Sequence, residues 1–221
     1  MPLPREAGHR PPDLSQITLA VIAGGKGERM GLPKSRLQFR ERPILEWLLR
    51  QIQWPGPTLL VTAANVAHPP AADLFDREAI DPVDGLGPLR GLLTALEESS
   101  TQIVTVVTVD MLAVRAPMLA WLVDVLGVQP KTKGVMYRVA SEDGGHVEPF
   151  PSAFRREARE EIAARLGAEE RSVQALAALP GFLALEAPSE WPAETWANLN
   201  TPAEFIAFEA VHENLSSKER R

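Results

Sequence analysis

Ile17 to Lys34 run ITLAVIAGGKGERMGLPK, and the reading of this stretch decides the fold. Ile17–Ile22 (ITLAVI) is apolar without alternation and without charge, the pattern of a strand covered on both faces in a parallel sheet. It runs straight into Ala23-Gly24-Gly25, with Gly27 and Gly31 following. Glycines there let backbone amides approach an anion with no side chain in the way, and Arg29 and Lys34 add the positive charge that a polyphosphate needs. The loop is not a P-loop, because no Gly-Lys-Ser/Thr follows, and Gly25-x-Gly27-x-x-Met30 lacks the third glycine of the dinucleotide fingerprint. A surface turn with solvated Arg and Lys is the competing reading of its composition.

Working outward, strand-like and helix-like segments alternate. Pro43–Ile52 places Ile44, Leu45, Leu48, Leu49 and Ile52 on one helical stripe, with Pro in the first turn. Thr58–Thr62 is a second strand, Leu89–Leu96 lies in a helix, and the β-branched Ile103–Val109 is a central strand. A helix over Pro117–Leu126, a strand over Gly134–Val139, a charged helix over Ala153–Leu166, a strand over Phe182–Leu185 and a helix over Thr201–Glu209 capped by Thr201 complete the order. This alternation predicts an α/β fold, a mainly parallel sheet with helices on both faces. Ligands then bind beyond the carboxyl ends of the strands, so the loops after Ile22, Val61 and Val109 are the places to look for chemistry.

Composition bounds the rest. The chain has 221 residues, 45% of them hydrophobic, enough for one substantial core. Its charge of −6 offers no global positive field for nucleic acid. With no cysteine there is no disulfide, thiolate metal site or thiol nucleophile. No apolar run approaches the ~20 residues of a membrane helix, so a cytoplasmic, membrane-free protein is expected. Residues 1–16, with four prolines, read as a flexible leader, 17–210 as one domain and 211–221 as a polar tail. The four histidines are too scattered for a metal cluster, and Arg155–Glu161 reads as a solvated helix face with an Arg156–Glu160 pair.

The string AGGKGERMGLPKSRL resembles the N-terminal signature of the molybdenum cofactor guanylyltransferases, within the nucleotidyltransferases that move NMP onto small acceptors. Further matches follow in the family's order: Asp81 and then Gly87-Pro88-Leu89-Arg90-Gly91, Asp110 after an apolar strand, Glu148-Pro149, Arg171-Ser172-Val173 and Asn198-Leu199-Asn200-Thr201-Pro202. The resemblance implies a single Rossmann-like, three-layer α/β/α nucleotidyltransferase domain. It implies that the phosphate of molybdopterin attacks the α-phosphorus of GTP and releases pyrophosphate. Backbone amides of Ala23, Gly24 and Gly25 would then cradle the triphosphate, with Ile22 also among the nucleotide-binding residues, Arg29 would neutralise the β and γ phosphates, Lys34 would stabilise charge at the α-phosphoryl group, and Asp110 would hold Mg2+. As a residue, Asp110 has a second reading, a helix N-cap.

Asp81 could read guanine, since a carboxylate accepts from both N1 and the exocyclic amine, or it could be an Asp-Pro turn residue. Where the family carries a nucleotide-binding Asn, this chain has Thr62, with Asn65 three residues on. Arg171, Asn198 and Asn200 would face the acceptor, or serve as a salt-bridge residue and ordinary turn asparagines. The chain departs from the family at Asp110-Met111-Leu112, where Asp-x-Pro is usual, and at Glu148, where His or Gln is usual. Those departures keep a catalytically silent nucleotide-binding protein open, beside cytidylyl and sugar- or alcohol-phosphate transfer. A monomer and a small homo-oligomer are both compatible with the sequence.

Overall fold

A computed structural model describes residues 11–24, 33–64, 68–83, 85–139, 145–188, 191, 199, 201 and 203–210. The elements in chain order are β1 (Thr18–Ile22), β2 (Gln38–Phe39), β3 (Arg42–Pro43), α1 (Ile44–Ile52), β4 (Thr58–Ala63), β5 (Arg77–Asp81) and α2 (Pro88–Glu98). There follow β6 (Ile103–Thr108), α3 (Ala116–Val128), β7 (Gly134–Val139), β8 (His146–Arg155), α4 (Arg159–Gly167), β9 (Phe182–Glu186) and a last helix, α5, over 203–210.

Seven strands form one sheet in the order β5-β4-β1-β6-β8-β7-β9. Only β8 runs antiparallel to its neighbours; the other pairs are parallel. This is the mainly parallel α/β sheet expected from the alternation of segments. All five residues of β1 are buried, as a strand needs to be when helices cover both faces. The core runs from Leu19, Leu60 and Val106 at the centre to Leu92 and Leu96 of α2 and Leu119 and Leu122 of α3.

Two strands depart from the expected pattern. β5 occupies the sheet edge and buries only alternate residues, Ala79 and Asp81. β8 replaces the first part of the expected helix over Ala153–Leu166, which begins only at Arg159. Ala153 and Phe154 are wholly buried and pair with both β6 and β7. Pro149 and Pro151, which argue against a strand, fall where the β7 register shifts between Val135 and Tyr137, and so remove no regular ladder bond. The charged run is correspondingly not one solvated face. Arg155 donates to the carbonyls of Thr132 and Leu126, and Arg156 reaches the carbonyl of Glu97.

At the amino end, order reaches back past Ile17. Asp13 caps a short turn over Leu14–Gln16, and Ile17 donates its amide to the Leu14 carbonyl. At the other end Thr201 and Glu204 exchange bonds, Thr201 N to Glu204 Oε2 at 2.9 Å and Glu204 N to Thr201 Oγ1 at 3.3 Å, a capping box at the start of α5. That helix docks Phe205 and Phe208 on Phe39 of β2, with ring centroids 5.5 and 5.6 Å away. Residues 211–221 lie outside the described residues.

Candidate functional site

The carboxyl ends of β1, β4, β5 and β6 open on one edge of the sheet, and the start of β8 joins them because that strand is reversed. At β1 the chain is held to both neighbours: Ala23 donates its amide to the Val61 carbonyl at 2.8 Å, and Val109 donates to the Ile22 carbonyl at 3.1 Å. Ile22 and Ala23 are buried, whereas Gly24 is exposed at the mouth of the loop. Gly91 of α2 allows the helix to approach here, since a Cβ on it would lie 3.0 Å from Ile22 Cγ2. Gly25 and Arg29 lie outside the described residues, as do Asn65, Asn198 and Asn200.

Lys34 returns to this edge on a short turn, Lys34–Arg36, and its Nζ lies 2.6 Å from Asp110 Oδ2. Asp110 follows β6 by two residues. Thr108, the last residue of that strand, donates Oγ1 to Asp110 Oδ1 at 2.6 Å. Asp110 does not cap α3, whose N-cap is Arg115. The Arg115 guanidinium bonds the carbonyls of Leu112 and Val114, and burial lowers its pKa. Met111 and Leu112, where the chain departs from the family pattern, are completely buried. They are core residues. Leu199 donates its amide to the Asp110 carbonyl at 3.2 Å, which places Leu199 at the same strand end.

Asp81 ends β5 and is buried. Its Oδ1 accepts from Val83 N at 3.1 Å and from Arg90 Nε at 3.0 Å. It is therefore a turn residue and an ion-pair partner at once. Arg90, to which the sequence reading gave no role, stands one helical turn into α2 behind the glycine-bounded loop in which Gly85 and Gly87 take φ of 80° and 75°. Arg171 Nη1 reaches the Gly85 carbonyl at 3.4 Å, which puts it beside the Asp81 loop.

Thr62 is buried, and its hydroxyl donates to Glu78 Oε1 at 2.9 Å. Glu78 in turn meets His68 Nδ1 at 2.9 Å. Neither partner was expected, since spacing along the chain does not reveal a pairing across β4 and β5. On the far side, His146 and Glu148 pair at 2.8 Å at the start of β8. Tyr137, opposite Glu148 in the ladder, is fully buried, and burial first and the Glu148 charge second push its phenol pKa well up.

The donor set fits an ion that prefers oxygen ligands. Asp110 offers a carboxylate whose Oδ2 already faces one cation, the Lys34 ammonium. No group of three or more His, Cys, Asp or Glu among the described residues could hold a metal ion. Such a site suits a metal that takes one or two carboxylates and completes its shell with substrate phosphates, rather than a closed protein cage.

A family model described as MobA-like NTP transferase domain matches residues 19–181. A probable molybdenum cofactor guanylyltransferase of Opitutus terrae is 30% identical over 163 residues, 72% of this chain and 77% of that protein. A second, of Halalkalibacterium halodurans, is 27% identical over 190 residues, 82% of this chain and 92% of the relative. The crystal structure of molybdopterin-guanine dinucleotide biosynthesis protein A of Archaeoglobus fulgidus shares the fold, with a TM-score of 0.71 at 18% identity over 89% of this chain and 99% of that one. The class is thereby defined: the enzyme is a nucleotidyltransferase. Within that class the chain belongs to the MobA-like NTP transferase domain family.

Among the described residues no helix is long and apolar enough to cross a membrane.

Proposed function

We propose that the protein transfers GMP from GTP to the terminal phosphate of molybdopterin or the molybdenum cofactor, with Mg2+, releasing pyrophosphate. The likeness to probable molybdenum cofactor guanylyltransferases supports this choice of donor and acceptor. The observation that carries it is the Lys34–Asp110 contact, which gathers a cation and a carboxylate at the mouth of the glycine loop.

An oxygen of the acceptor phosphate forms a bond to the α-phosphorus, and the bond to the α–β bridging oxygen breaks, its electron pair leaving with pyrophosphate. The acceptor is already anionic near neutral pH, so no strong base is required. Catalysis reduces to positioning and charge neutralisation. Backbone amides of Gly24 and Gly25 receive the triphosphate beside Ala23, whose own amide is held by the Val61 carbonyl; Arg29 neutralises the β and γ phosphates, and Lys34 moves to the α-phosphoryl oxygens. Asp110 is the residue that would hold Mg2+, which when bound supplies charge neutralisation across the phosphates. Asp81 reads the guanine edge from the carboxylate oxygen that Arg90 leaves open, with Thr62 or Asn65 at the next strand end. Arg171, Asn198 and Asn200 face the acceptor. The enzyme works in the cytoplasm as a monomer or small homo-oligomer and needs neither nucleic acid nor membrane.

The test is a panel of GTP, CTP, ATP and UTP with Mg2+, read as thermal stabilisation, followed by pyrophosphate release with GTP and molybdopterin. The expected result is the largest shift with GTP and release that depends on the acceptor. A larger shift with CTP would move the enzyme to cytidylyl transfer. Binding of GTP without pyrophosphate release would make it a nucleotide-binding protein only.

A further inference from the structure

We infer that Thr108 is a positioning residue for Asp110, fixing the carboxylate so that a single oxygen, Oδ2, is left for cations. This rests on the proposed role of Asp110 in holding the metal. The torsion that rotates an aspartate carboxylate about its own axis is broad and roughly two-fold, so backbone placement alone does not choose which oxygen faces the site. In this chain that choice is made by a neighbour. Thr108 Oγ1 donates to Asp110 Oδ1 at 2.6 Å, a short bond of the kind a hydroxyl makes to a charged oxygen. The Thr108 carbonyl also accepts the Met111 amide at 3.1 Å, closing the turn that carries Asp110 out of the strand.

The donor itself is held firmly. Thr108 is the last residue of β6, paired in register with Ile22 of β1, and half-buried. Its branched Cβ restricts the first side-chain torsion, so the hydroxyl stands at a defined place. With Oδ1 taken, Oδ2 faces the Lys34 ammonium at 2.6 Å. In the free protein Lys34 therefore occupies the same oxygen that a metal would use, and the transfer of Lys34 to the triphosphate releases it. A carboxylate offering one oxygen matches a small octahedral cation that keeps most of its shell for water and phosphate. Partners of this outer kind commonly change metal affinity by about tenfold or more when removed.

The experiment titrates Mn2+ into the full chain saturated with GTP, reading bound metal by electron paramagnetic resonance. Thr108→Val keeps the branched shape and removes the donor; Thr108→Ser keeps the donor. The expected result is Mn2+ affinity lower by about tenfold in the valine variant and within about threefold of the parent in the serine variant. Stabilisation by GTP in the absence of metal is expected to be unchanged in both. Parental Mn2+ affinity in Thr108→Val overturns the inference, as does equal loss in Val and Ser. If the valine variant does not fold, Thr108→Ala is read against the same serine control. Asp110→Asn separates the two ideas: if it loses Mn2+ while Thr108→Val keeps it, only the positioning role falls, and if it keeps Mn2+, the metal role of Asp110 falls with it.

Discussion

Lys34 Nζ and Asp110 Oδ2 lie 2.6 Å apart although 76 residues separate them in the chain, and both side chains are mostly buried, at 20% and 14% exposure. Removing one member leaves the other desolvated without its counter-charge, which costs more than the pair contributes. Asp110→Asn and Lys34→Met each leave a mostly buried partner unsatisfied and are expected to lower stability by about 1–3 kcal/mol, and the double variant by less than the sum. Urea denaturation of the three variants measures this coupling, and strict additivity would show the contact to be energetically idle. Turnover separates from stability, because each single variant is expected to reduce pyrophosphate release by at least about a hundredfold if charge neutralisation carries the reaction.

Asp81 is tied on one oxygen by Arg90 and the Val83 amide. Its second oxygen is the candidate acceptor for a base edge. Asp81→Ala is expected to abolish the preference for GTP over CTP in the thermal panel, while Arg90→Ala loosens the carboxylate and weakens that preference only partly. Equal loss of affinity for all four nucleotides in Asp81→Ala would assign the residue to the turn alone.

The β2–β3 hairpin turns through Arg40 and Glu41, both with positive φ, 49° and 61°. Left-handed backbone costs a residue with a Cβ about 1 kcal/mol, and a two-residue hairpin of this hand favours glycine at the second position. Arg40 gains from standing over the Phe39 and Trp47 rings, 5.7 and 5.6 Å from their centroids. Glu41 has no ring contact of that kind among the described residues, so Glu41→Gly is expected to raise stability by about 0.5–1 kcal/mol in chemical denaturation. A loss of stability would mean that the glutamate side chain makes a compensating contact.

The buried centre of the fold was legible because β1 and β6 are covered on both faces and are accordingly almost wholly aliphatic and β-branched, with Thr18 and Thr105 as buried threonines among them. β5 and β8 escaped notice for opposite reasons. β5 is an edge strand with a single exposed isoleucine, Ile80, among charged residues, and β8 carries prolines that a regular ladder would reject. The site divides in the same way. Asp110 and Lys34 were visible as residue types in loops of the right kind, but their contact depends on β1 and β6 lying side by side. The engagement of Thr62 by Glu78 and of Asp81 by Arg90 depends likewise on strand and helix neighbours that local spacing does not encode.

Tyr137 is the only tyrosine in the chain, so the phenolate band near 295 nm reports on this residue alone. It is fully buried, and burial, reinforced by the nearby Glu148 charge, holds its proton well above the ordinary range. Below about pH 10, the ordinary tyrosine value, the phenol is protonated both folded and unfolded and its contribution to stability is complete. Above that value the unfolded chain loses a proton that the folded chain keeps, and stability falls by about 1.4 kcal/mol per pH unit. The phenolate band is therefore expected to rise together with the loss of tryptophan tertiary signal, not ahead of it. Tyr137→Phe removes this component, so its stability should decline less steeply than the parent's above pH 10, with lysine and arginine titration common to both. A phenolate band that rises near pH 10 in protein still folded would place the ring in contact with water.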